Sequence, residues 1–251
     1  MRTLIATLCL AVAPMAMAAN KHVHQAVALN PDGTLSLSTH NGSITVTGSN
    51  EAGADIDAVI EPGEMGYAED VQKTEIRISG SGSGVRVESD YSAVGTHIGW
   101  LGLGTNRVYP LVHYTIRMPA GARLEIEDHN AKTRVTGLRG DIQINSHNGP
   151  VEIADFTGGA SVETHNGDVR VAYSRFTKES SFETHNGELE VRLPSDSRFH
   201  LDADGHHLGF DSDFPLTMRR MGSAHYSGDI NGGGPELRFS THNGSLRILK
   251  D

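Results

Sequence analysis

Cysteine is all but missing from this 251-residue chain: Cys9 stands alone, inside an apolar N-terminal run. Disulfides, thiol catalysis and thiolate metal sites are thereby excluded from the rest of the chain. Basic clusters are missing too. None is larger than Arg219-Arg220, and the formal net charge is −10. Phosphate backbones are bound through basic patches, so the sequence argues against a nucleic-acid partner. Aromatic residues make up only 6% of the chain, with Trp100 the sole tryptophan. No apolar stretch after the N-terminal run is long enough to span a bilayer, which takes about 20 residues. Enzyme signatures are also absent: there is no H-E-x-x-H, no G-x-S-x-G and no P-loop.

The N-terminal run reads as a secretory signal peptide. Arg2 precedes the apolar residues Leu4 to Ala13, Pro14 breaks any helix, and Ala16-Met17-Ala18 fits a small-x-small cleavage site. Residues 1–18 are therefore expected to be removed. Loss of Arg2 takes the formal charge of the mature chain to −11. The product is expected in the periplasm, or secreted to the cell surface. The remainder, 19–251, reads as a single elongated β-repeat domain, because no Pro/Ser/Gly-rich linker divides it.

Against these shortages stand two excesses, 29 Gly and 14 His. They meet in one motif. His-Asn occurs at His40-Asn41-Gly42, His129-Asn130-Ala131, His147-Asn148-Gly149, His165-Asn166-Gly167, His185-Asn186-Gly187 and His242-Asn243-Gly244. The four central copies lie 18, 18 and 20 residues apart. A fixed period near 20 marks a repeat architecture. Alternating apolar residues flank each copy, as in Val162-Glu163-Thr164 before and Val169-Arg170-Val171 after. Such alternation reads as half-buried strands. Asn41, Gly42, Asn148, Gly149, Asn166, Gly167, Asn186, Gly187, Asn243 and Gly244 are read as structural turn residues, since Asn and Gly tolerate positive φ. A second turn lies midway, led by Leu138, Phe156 and Phe176 at the same spacing.

Two architectures fit. In a parallel β-solenoid each repeat is one coil, and equivalent residues stack about 4.8 Å apart. In an antiparallel hairpin meander or sandwich each Asn-Gly closes a hairpin. The constant period favours the solenoid, with regular repeats at about 124–193 and a closing repeat at 235–249. A hairpin would also set Glu183 against Glu190, a repulsive pair. Strand-like runs continue at Thr74 to Ser79, Val85 to Glu88 and Val112 to Met118. Ser79 to Gly84 reads as a flexible hairpin tip. Gly95 to Gly104, around Trp100, reads as a covering loop, and 202–234 as a second irregular stretch.

The layout resembles the bacterial putative-adhesin family of β-strand-repeat proteins, a group of unknown function. The resemblance is carried by the signal peptide, Ser38-Thr39-His40-Asn41-Gly42, Ile116-Arg117-Met118-Pro119-Ala120-Gly121 and the central repeats. Gly228-Asp229-Ile230-Asn231-Gly232-Gly233-Gly234, leading into the last motif, completes it. It implies a right-handed β-helix-like fold in an exported envelope protein. It supplies no catalytic residues, and His at the turn departs from the family's looser pattern.

The expected function is a non-enzymatic binding or surface-scaffold module whose partner is a glycan or an envelope protein. A glycan-active β-helix enzyme, lyase or hydrolase, is the catalytic alternative. No cofactor and no dedicated metal site is assigned. In a solenoid, however, His129, His147, His165 and His185 line one edge, and imidazoles ligate zinc or copper. Metal binding through this ladder is the third reading; packing over the turns is the plainer one. His206-His207 reads as a solvated loop. Asp202-x-Asp204 and Asp211-x-Asp213 place paired carboxylates on one face, suited to Ca²⁺, or else are solvated acids.

Overall fold

A computed structural model describes residues 20–64, 66–98, 105–215, 219–221 and 225–251. The signal-peptide segment, Trp100 and most of its Gly-rich loop lie outside the described residues. The strands are β1 (Lys21–Val27), β2 (Leu29–Ser38), β3 (Asn41–Ser49) and β4 (Ala54–Glu61). After the short helix α1 (Ala68–Lys73) come β5 (Glu75–Asp90), the small pair β6 (His97–Ile98) and β7 (Thr105–Asn106), and β8 (Leu111–Pro119). The repeats supply β9 (Arg123–Thr136), β10 (Ile142–Asn148), β11 (Val151–Phe156), β12 (Ala160–Asn166), β13 (Val169–Tyr173) and β14 (Ser180–Leu193). The chain closes with β15 (Phe199–Ser212), β16 (Arg219–Met221), β17 (His225–Ile230) and β18 (Glu236–Lys250).

The repeats pair in parallel, each residue on its equivalent one period away. Ile126, Ile144, Val162, Phe182 and Phe239 form one buried column. Val135, Ile153, Val171, Val191 and Ile248 form a second, on the other side of the core. Period-2 alternation sends these side chains inward. Burying each contributes roughly 1.5–3 kcal/mol, and stacking keeps neighbouring coils in register. The hairpin alternative does not hold across the central repeats. Thr164 sits beside Thr184, not opposite Val169.

The simple right-handed solenoid also needs correction. β10/β11 and β12/β13 break at the His-Asn corner, but β9 and β14 run straight through it. Both long strands therefore belong to both ladders. The order β9–β10–β12–β14–β13–β11 closes into a ring of six parallel strands, with further strands added outside it. The first motif joins this stack across a long insertion: β2 and β3 lie on β9. The last motif enters out of order. β18 lies between β14 and β15, so the chain passes over that position before filling it.

Antiparallel strands extend the two ends, β1–β4–β8 at one and β15–β17–β16 at the other. Two segments read as irregular prove to be strands. β5 runs without a break through the Ser-Gly segment, which was expected to be a hairpin tip; Gly80 and Gly82 take up the bend at φ 86° and 66°. Most of 202–234 is strand as well, and His206-His207 lies in β15 rather than in a loop.

Candidate functional site

Each His-Asn corner distributes its residues in three directions. The residue before His turns inward: Thr39, Asp128, Ser146, Thr164, Thr184 and Thr241 are all buried. Asn lies along the stack, and its amide bonds to the Asn of the next coil. Asn130 donates to Asn41 (2.8 Å), Asn148 to Asn130 (2.7 Å), Asn166 to Asn148 (2.9 Å), Asn186 to Asn166 (2.9 Å) and Asn243 to Asn186 (3.0 Å). Gly follows because adjacent coils approach too closely for a side chain. A Cβ on Gly167 would stand 2.1 Å from the Gly149 carbonyl oxygen. The Asn-Gly pairs are thus corners of a stack, not hairpin tips.

His points outward and the rings stack. His129–His147, His147–His165 and His165–His185 have centroids 4.7, 5.0 and 4.8 Å apart, with planes within 6° of parallel. The four expected rings are therefore brought together. The column is longer than the sequence indicated. His40 stacks on His129 at 4.7 Å, His242 on His185 at 4.7 Å and His206 on His242 at 5.3 Å. Seven imidazoles form one file, closed at the His40 end by Tyr109, edge-on at 4.5 Å. His40 and His242 carry the motif, but insertions hide their place in the period. His206 lacks the motif, and only strand register puts it there. Among the described residues no hydrogen bond engages the rings of His129, His147, His165, His185 or His242. Burial, and next the charge of His129, holds the His40 imidazole below its usual pKa.

A second outward column runs beside the imidazoles, two residues earlier in each coil. It reads Ser38, Glu127, Asn145, Glu163, Glu183, Ser240 and Asp204. Between the columns lies an open groove of about 640 Å³, lined by Glu127, Glu163, Glu183, His147, His165, His185 and His242 among others. No lining residue is Lys or Arg. Glu127, Glu163 and Glu183 form no side-chain ion pair among the described residues. The outward column on the other ladder behaves differently. It alternates in sign: Arg134, Glu152, Arg170, Glu190, Arg247. Arg134 meets Glu152 at 2.7 Å, and Arg247 meets Glu190 at 3.4 Å. One face neutralises itself, and the groove face does not.

A family model described as Toastrack DUF4097 matches residues 121–248, just over half of the chain. The chain belongs to this family. The resemblance to adhesin-like β-repeat proteins holds with it. Among solved structures, a putative cell adhesion protein from Clostridium sporogenes is 13% identical, covering 92% of this chain and 100% of that one, at a TM-score of 0.47. A putative adhesin from Bacteroides fragilis is 12% identical over 92% and 97%, at 0.31. A putative lipid binding protein from Parabacteroides distasonis is 9% identical over 91% and 96%, at 0.29. No curated protein matches the chain.

Other polar clusters in this Toastrack chain lie away from the groove's centre. Asp202 and Asp204 do share a face, on β15, with His225 opposite. His225 Nδ1 is 2.7 Å from Asp204 and 3.6 Å from Asp202. Asp213 instead accepts a hydrogen bond from the Lys250 amide. Asp70, fully buried, is held by His97 at 2.6 Å, Lys73 at 3.2 Å and the Gly95 amide at 3.2 Å. Two Ser–His–acid chains exist, Ser43–His113–Glu61 and Ser227–His200–Asp229. Both lie across paired strands, whose amides are committed to the ladders.

Proposed function

We propose that the protein is an exported, non-enzymatic module of the bacterial envelope, working in an adhesin-like or scaffolding role. The groove beside the imidazole file is its contact surface. One observation carries this reading: imidazoles stack from coil to coil on a single open face, with the carboxylates of Glu127, Glu163 and Glu183 beside them. Such a rail suits an extended partner with a repeat of its own. The finer picture, a stack of repeats presenting its His-Asn corner to the periplasm or cell surface, rests on the repeat period. Export rests on the residue pattern of 1–18.

A linear neutral glycan fits the groove chemistry. Its hydroxyls donate to the glutamates and exchange hydrogen bonds with the imidazoles, and no Lys or Arg lines the groove to draw in a polyanion. A basic patch on an envelope protein is the second reading, favoured by the acidic column. The test is to pass neutral and acidic polysaccharides, in chelator, over the immobilised chain and to assay the eluate for new chain ends. Retention of neutral chains at unchanged length is the expected result. New reducing or unsaturated ends would instead establish the glycan-active enzyme.

A further inference from the structure

We propose that the imidazole file and the carboxylate column beside it bind borderline transition-metal ions, Zn²⁺ and Cu²⁺ above all, at several successive rungs. The central donors are His165, His185, Glu163 and Glu183. This goes beyond the adhesin-like reading and does not depend on it.

The first argument is what the packing leaves over. Stacking and turn formation account for the ring faces, but not for the ring nitrogens. Those of His165 and His185 are exposed and take no hydrogen bond among the described residues. Glu163 and Glu183 stand side by side in register, like charges with no counter-ion. Like charges opposed across strands are destabilising. On the other ladder the same coils avoid this by alternating Arg and Glu. Glu163 and Glu183 without an ion pair, beside His165 and His185 without a ring hydrogen bond among the described residues, in a groove lined by no Lys or Arg, form an arrangement that a cation completes.

The second argument is reach. Neighbouring rings are nearly parallel, so equivalent nitrogens repeat at about the centroid spacing of 4.7–5.0 Å. Two tetrahedral Zn–N bonds of about 2.0–2.1 Å hold their nitrogens about 3.3–3.4 Å apart. The gap is therefore roughly 1.3–1.7 Å, and exposed rings close it by rotating toward each other about χ1 and χ2. The glutamates lie two residues earlier on the same face, roughly 7 Å away along the strand. A glutamate side chain spans that distance to complete the coordination.

The donor set selects the class of ion. Imidazole nitrogen with carboxylate suits Zn²⁺, Ni²⁺ and Cu²⁺, with Cu²⁺ the tightest, whereas Ca²⁺ and Mg²⁺ prefer all-oxygen shells. Two other clusters, Glu69–Asp70–His97 and Asp202–Asp204–His225, bring three donor atoms within 4.8 Å of one another. Their donors already bond one another, as at His97–Asp70 and His225–Asp204. They are the competing locations in any test.

The test uses the untagged full chain, titrated calorimetrically with Zn²⁺, Cu²⁺ and Ca²⁺. Saturable binding of more than one Zn²⁺ or Cu²⁺ per chain, with no Ca²⁺ heat, is expected. His165→Asn with His185→Asn is expected to weaken binding at least tenfold, and His225→Gln to leave it unchanged. Circular dichroism checks that the double variant folds. A second readout needs no variant. In wild-type imidazole ¹H–¹⁵N spectra, Zn²⁺ is expected to move the signals of His147, His165 and His185 first. Absence of heat at micromolar metal overturns the proposal. So do first shifts at His97 or His225, or unchanged binding in the folded double variant. Glycan retention is measured in chelator, so a failure here leaves that reading standing, and the reverse.

Discussion

Asp128 Oδ1 accepts a hydrogen bond from the Ala131 amide at 2.9 Å. These are the two positions at which the second motif departs from the rest. Asp replaces Thr or Ser before His129, and Ala replaces Gly after Asn130. The two departures belong together. The same oxygen also accepts from the Ser146 hydroxyl at 3.0 Å, while Oδ2 is buried without a partner.

Burial pushes the Asp128 carboxyl up to about 6, and the Ala131 and Ser146 hydrogen bonds only partly oppose it. A raised carboxyl pKa means that the folded chain holds this proton more tightly than the unfolded one. Its stabilising effect is present below the unfolded value of 3.8 and is lost as pH rises through about 6. At pH 7.5 the cost is on the order of 3 kcal/mol. Asp128→Asn keeps the acceptor and removes the charge. Urea unfolding is expected to show this variant about 1–2 kcal/mol more stable at pH 7.5, with the difference shrinking toward pH 4.

His40 works in the opposite direction. The His40 pKa is lowered by burial and then by His129, so the folded chain takes up this proton less readily. The associated stability is present above about 6.5 and falls as pH drops below it. The melting temperature of Asp128→Asn is therefore expected to fall from pH 7.5 to pH 5. Adding His40→Asn should lessen that fall. An unchanged melting temperature would contradict a lowered His40 pKa.

Gly167→Ala places a methyl group 2.1 Å from the Gly149 carbonyl oxygen. Coils must separate to admit it, so a loss of about 2 kcal/mol or more is expected in denaturant unfolding. Ala131→Gly removes a methyl group that already fits and is expected to cost about 1 kcal/mol or less.

Asn166 sits mid-ladder, donating to Asn148 and accepting from Asn186. Asn166→Ala removes both bonds at an exposed position. The expected loss is about 1–2 kcal/mol, from roughly 0.5–1.5 kcal/mol net per bond. Among the described residues Asn243→Ala removes only its donation to Asn186 and should cost about half as much. Thermal unfolding of the two variants side by side checks the ratio.

The strands and their stacking period were legible in the sequence. Alternation marks Val162, Val169 and Val171 as inward-facing, and the 18- and 20-residue intervals became parallel registers. The direction of the chain at Asn-Gly was not legible from those residues. A hairpin and a corner both tolerate them, and only pairing of Thr164 with Thr184 rather than Val169 decides. The length of the histidine file was hidden for another reason. His40 and His129 are 89 residues apart, and nothing local says that the intervening chain folds back to bring them into contact. His206 carries no motif and is placed by β15 pairing with β18. The acidic column was visible as letters, but its lack of partners is a property of the assembled faces.

The position of β18 has a consequence for biogenesis. A polypeptide leaves the ribosome, or crosses a membrane, amino end first. The slot between β14 and β15 stays empty until β18 (Glu236–Lys250) emerges. Until then two long strands present open edges toward each other, and open edges invite pairing with other chains. β18 acts as a bolt slid home after the strands on either side of it. A chain cut short before residue 236 would lose an interior course of its wall, and with it the Phe239 and Leu246 rungs that join the regular repeats to β15.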